Sequence, residues 1–218
     1  MQTGFVNEAE KYIDLSLEYY PENLYAELLR AYILLDEDGD LEQTKELLLE
    51  ALQKDTSRHD IMKELWVICY FLHDYECAYS YFSRIFEITE AQGIDPYSSE
   101  KGKMGVILSE LGRPEESEEY FQEYLEYAEN DQTVYKHLSL AAYYSYMGDT
   151  AKAIEHMDQF SEQEKYPYWY ILFFRMNDPL FDNVDDLPEF KKIHRKIEVK
   201  FWRYHKQIKD SLKEKGLL

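Results

Sequence analysis

"YSYMGDTAKAIEHM", residues 144–157, decides the fold. An aromatic-rich run stops at Gly148-Asp149, and Ala153 and Met157 then follow at helical spacing. Gly tolerates the left-handed conformation that ends a helix, and an Asp side chain accepts the free N–H groups that open the next one. The pair therefore predicts a turn between two antiparallel helices and not an active-site loop.

The same arrangement recurs along the chain. Gly148 has Ala141 seven residues before it, Tyr144 four before, Ala153 five after and Met157 nine after. Gly112 has Gly105, Leu108, Ser117 and Phe121 at those offsets. His73-Asp74 has Trp66, Cys69, Ala78 and Phe82. Gly39-Asp40 has Leu35, Thr44 and Leu48, with Ala31 one place further back, which predicts a turn one residue longer there. Gly4 precedes Ala9, Ile13 and Pro21, the second half of a unit whose first helix is missing. Two antiparallel helices approach closely only where small residues face each other, and larger residues at the other offsets fill the space around them.

This pattern resembles the tetratricopeptide repeat, a helix-turn-helix unit of about 34 residues. The matching segments are "LAAYY" with "AIEHM", "MGVIL" with "SEEYF", and "LWVIC" with "AYSYF"; the family's signature Trp is absent from every unit. The resemblance implies an all-α fold, a right-handed superhelix over residues 1–177 with a half repeat, four full repeats and one further helix. A longer loop is expected around Gly93 to Ser99, and a further helix at "PYWYILFFRM", opened by Pro167.

The C-terminal stretch 178–218 departs from the repeat. A loop carries Pro179 and Pro188, and a long helix is expected from about Leu187 to Lys215. Its apolar residues Phe190, Ile193, Ile197, Phe201, Tyr204, Ile208 and Leu212 step by three or four, so one face is apolar. Residues 187–218 hold 10 Lys or Arg against 4 Asp or Glu, whereas the whole chain carries a net charge of -20. Docking on the acidic repeats as a terminal cap is the expectation; pairing with a second copy, as a homodimer, or with a partner, and contact with membrane or nucleic acid, are the alternatives. "NDPLFDNVDDLPEFKKI" and "IEVKFWRYHKQIKDSLKEKGLL" also resemble the end of tetratricopeptide sensor segments in bacterial transcriptional regulators. In those proteins a helix-turn-helix DNA-binding domain lies upstream. The likeness implies a regulatory module, and a chain that opens in mid-repeat fits either a piece of such a regulator or a free-standing adaptor.

In this fold the first helix of each unit lines a concave groove. By offset from the turns, the groove residues are Tyr25 and Tyr32; Lys63, Tyr70 and Phe71; Val106 and Ser109; and Tyr135, Leu138, Ser145 and Tyr146. Tyr suits a contact surface because it covers much area at little rotamer cost. A protein or peptide partner is expected, with an aromatic ladder of Tyr70, Tyr135 and Tyr146.

The remaining chemistry is sparse. The acidic balance argues against nucleic-acid binding by this chain. "YWYILFF" (168–174) is far shorter than the ~20 residues of a membrane span. The N-terminus lacks a basic stretch and an apolar stretch, so a cytoplasmic location is expected. Cys69 and Cys77 read as buried, reduced thiols. "DEDGD" (36–40) places Gly39 fourth where a calcium loop needs Gly sixth. The six His show no metal-ligand spacing, and no nucleophile elbow or phosphate loop is present. No catalytic residue, metal or cofactor is assigned, and the chain reads as a binder and not an enzyme.

Overall fold

The computed structural model describes residues 3–90 and 98–218. Most of the loop expected at Gly93 to Ser99 lies outside them; Ser98–Glu100 is a short 3-10 turn. Among the described residues the fold is all helical, with α1 Val6–Tyr19, α2 Leu24–Asp38, α3 Leu41–Lys54, α4 His59–Phe71, α5 Tyr75–Glu90, α6 Lys101–Glu110, α7 Pro114–Asn130, α8 Lys136–Tyr146, α9 Thr150–Phe160, α10 Tyr168–Phe173 and α11 Pro188–Glu214. None is long and apolar enough to cross a membrane.

All five turn positions marked in the sequence adopt the left-handed conformation: φ is +77° at Gly4, +65° at Gly39, +57° at His73, +73° at Gly112 and +78° at Gly148. His73 does so without being glycine, because the hairpin closes around it: Asp74 N–H donates to the Cys69 carbonyl at 2.9 Å. Asp149 and Asp40 accept the N–H groups of Lys152 and Gln43, opening α9 and α3 as capping predicts. The extra residue near Gly39 lengthens α2 and not the turn. Helix α2 runs to Asp38, and Gly39 N–H closes back on Leu35, where α4, α6 and α8 stop two residues before their left-handed residue.

The small residues lie where helices meet. Ala78, Ala141 and Ala153 have no exposed surface, and Ala31 and Thr44 have almost none. At Gly105 a Cβ atom would lie 2.6 Å from the Phe121 ring, and the Ser117 hydroxyl donates to the Gly105 carbonyl at 2.7 Å. That contact sets how closely α7 approaches α6.

The reduced state expected for the cysteines does not hold. Cys69, in the last turn of α4, and Cys77, in the first turn of α5, form a disulfide. The tight turn brings their Cα atoms to 5.8 Å, within the range a disulfide spans.

By packing the chain forms two compact units, residues 5–123 and residues 1–4 with 124–218; the boundary expected at 177/178 falls inside the second. In residues 5–123, α1 to α5 pack each on the next, and α5 on α6. In residues 124–218, α8 pairs with α9, and α11 lies against α9 with Phe190, Ile193, Ile197 and Phe201 buried. Phe174 and Phe181 contact Phe190, and Tyr168 contacts Phe201, with ring centres 5.4–5.6 Å apart. Polar groups finish the contact. Lys200 Nζ donates to the carbonyls of Ser161 and Gln163 just past the end of α9, where free acceptors and the helix dipole favour a cation. Asn183 Nδ2 donates to the Ser145 carbonyl in the last turn of α8. Lys196 reaches Glu162 at 2.6 Å and Asp158 at 3.6 Å.

Candidate partner-binding site

Helices α2, α4 and α6 open successive hairpins of residues 5–123, and a line of polar side chains joins them. The Tyr32 hydroxyl, on α2, donates to the Glu64 carboxylate on α4. The next group along is Glu100, before α6, whose charge Glu64 feels. Glu100 is paired with Lys103 at 2.6 Å, and the Lys103 ammonium lies 5.9 Å from the centre of the buried Trp66 ring. Side chains of α2, of α4, and of α6 with the turn before it thus lie along one line.

The charges on this line are unevenly satisfied. Burial first, and then repulsion from Glu100, push the Glu64 carboxyl up to about 7. Burial also opposes ionisation of Glu100, but Lys103, and beyond it Lys63, outweigh that cost and hold Glu100 below the usual carboxylate range. Two neighbouring carboxyls therefore divide: one stays ionised against a Lys, and the other titrates near neutrality.

The expected groove residues separate into two sets. Tyr25 and Lys63 are exposed, and Tyr32, Ser109, Tyr135, Leu138 and Tyr146 are half-buried. Tyr70, Phe71, Val106 and Ser145 are buried core residues. A helix flanked by two neighbours buries more than half of its circumference, so these four pack inward. The proposed ladder is therefore not an exposed wall, since Tyr70 has no free surface and lies in a different unit from Tyr135 and Tyr146. In residues 124–218 Tyr135 stacks obliquely on Trp169, ring centres 5.6 Å apart, forming a smaller aromatic pair on the surface. A second aromatic surface lies at the start of the chain, where Tyr12, Leu15, Tyr19, Tyr20 and Tyr25 are between 46% and 75% exposed.

Among the described residues the group best placed to ligate a metal by number of donors is Cys69, Asp74 and Cys77. Its sulfurs are bonded to each other, and Asp74 is engaged by Lys45 and by the Cys77 N–H. "DEDGD" is accounted for as helix end, left-handed Gly39 and capping Asp40.

Comparison with protein-family profiles, with curated proteins and with solved structures finds no match to this chain.

Proposed function

We propose that this chain is a right-handed, tetratricopeptide-like repeat scaffold that binds a protein or peptide partner in the cytoplasm and performs no catalysis of its own. The observation that carries the binding reading is the run Tyr32, Glu64, Glu100 and Lys103 across three first helices. Glu64 is a partly desolvated carboxyl with a raised proton affinity, and a cation seated beside it would let it ionise. A Lys or Arg side chain of the partner supplies that charge. Residues 5–123 hold 10 Lys or Arg against 28 Asp or Glu, so their field draws a basic segment toward this face. Tyr32, which donates to Glu64, and the exposed Tyr25 on the same helix supply aromatic contact area.

The resemblance of the tail to sensor segments favours one setting, the regulatory region of a bacterial transcriptional regulator. The alternative is an autonomous adaptor with no DNA-binding domain. The reading frame upstream of Met1 separates the two: a fused helix-turn-helix domain supports the first, and an authentic start codon the second.

The binding reading is tested by capture from native lysate with the wild type and with a Tyr25→Ala, Tyr32→Phe, Glu64→Gln triple variant. Loss of the captured partner, with helical content unchanged, supports it. Equal recovery moves the site off this face. Affinity for the captured partner should also tighten as pH rises through about 7, because a bound cation favours ionised Glu64. Glu64→Gln should flatten that dependence.

A further inference from the structure

The hairpin of α8 and α9 brings together two side chains that stand 19 residues apart. The Nδ1 atoms of His137 on α8 and His156 on α9 are separated by 3.1 Å, with ring centres 5.3 Å apart. Both residues are half-buried, so an ion can reach them from solvent. The frame beneath them is fixed, since Ala141 and Ala153 are fully buried between the helices and Asp149 caps α9. Tyr144 stacks parallel on His156, and the Lys152 ammonium lies 4.5 Å from the centre of the Tyr144 ring. One Nδ1–H donates to the other Nδ1.

We propose that His137 and His156 form a bidentate site for a divalent transition-metal cation of the class that prefers imidazole, represented by Zn2+. A Zn–N bond is about 2.0–2.1 Å, so two nitrogens at this separation subtend roughly 100° at a shared ion, between the square and the tetrahedral angle. The donor ring must move its proton from Nδ1 to Nε2, and because the ring centres and the two Nδ1 atoms are nearly in line, each ring must turn by roughly 40° to aim its lone pair at a shared ion. Neutral imidazoles do this with no net release of protons. An imidazole is largely neutral, and so able to ligate, above a pH of about 6.5. The pair supplies two of about four ligands. Water fills the others in the isolated chain, leaving positions for a carboxylate or imidazole from a partner.

The test is a calorimetric titration of the metal-stripped full chain with Zn2+, in a non-coordinating buffer without reductant. One equivalent should bind, and the melting temperature should rise with Zn2+ concentration. His137→Ala and His156→Ala should each weaken binding at least tenfold, as should lowering the pH from 7.5 to 5.5. His156→Gln, which keeps a polar side chain of similar size, controls for folding and should be equally impaired. A Cys69→Ser, Cys77→Ser variant should bind as the wild type does. Undiminished binding by the His variants overturns the proposal. So does absence of binding to the wild type at about 1 mM Zn2+; the pair is then a hydrogen bond between helices and nothing more.

Discussion

Residues 5–123 and residues 124–218 use the same hairpin and finish it differently. The first unit has a net charge of -18 and carries its least satisfied charge, Glu64, on a shared helix face. The second has 14 Lys or Arg against 16 Asp or Glu, a net of -2, because α11 brings its own cations. Those cations are used locally: Lys200 serves the end of α9, and Lys196 pairs with its carboxylates. In the second unit, then, cations answer acceptors of the chain itself. Helix α11 supplies donors to an exposed helix end, while Glu64 accepts from the Tyr32 hydroxyl and has no paired cation among the described residues.

The largest expected effect breaks the second unit alone. Deleting residues 187–218 uncovers the surfaces that Phe190, Ile193, Ile197 and Phe201 bury. Each is worth about 1.5–3 kcal/mol before ordering costs, so the truncated chain should melt earlier and associate. Hydrogen exchange should show the loss in α8 to α10 and leave α2 to α5 protected. Uniform loss would mean that the two units share one cooperative transition.

The next effect compares hairpins across the units. Gly105→Ala in α6 and Ala153→Leu in α9 both overfill a close helix contact, each costing on the order of 1–3 kcal/mol in denaturant unfolding. Gly105→Ala should be the costlier per atom added, since its new methyl meets the Phe121 ring at 2.6 Å.

A smaller effect, confined to the acidic unit, is the pH dependence of Glu64. Its folded value of about 7 lies above the usual 4.5, so ionisation opposes folding. The stabilising contribution of the protonated form is full below pH 4.5 and is lost as pH rises through 7. Glu64→Gln should therefore gain about 2–3 kcal/mol relative to the wild type at pH 8 compared with pH 5. No pH-dependent difference would mean that the carboxyl is already neutralised.

The smallest belongs to the tail's ion pairs. Lys196→Ala, or ~0.5 M salt, should cost no more than about 1 kcal/mol, because the pairs are exposed. A larger loss would make α11 docking electrostatic and not apolar.

Much of the fold was legible because it rests on backbone rules. The left-handed turns and the limits of α11 follow from Gly, Asp, Pro and three-four spacing. The groove was legible only in part. Tyr70, Phe71 and Val106 lie in runs that are buried on every side, Ser145 lies between two half-buried tyrosines, and periodicity does not show how much of a helix its neighbours cover. Glu64 was missed because a charged residue on a helix reads as solvated, and its meaning comes from Tyr32 and Glu100, which are far from it in sequence. Cys69 with Cys77, and His137 with His156, follow from hairpin geometry. Residues at comparable distances on either side of a left-handed turn meet across it, and that signal was present once the turns had been placed.

The buried hydroxyl of Ser117 has a consequence for how the helices of its hairpin may move. Where Ala faces Ala, two helices are held in position by shape alone and can creep along one another at modest cost. In α6 and α7 a slide of one turn would strand that hydroxyl in an apolar interior with no acceptor. The hairpin is thus keyed as well as packed. Any strain applied along residues 5–123 should be taken up at the all-carbon contacts before this one yields.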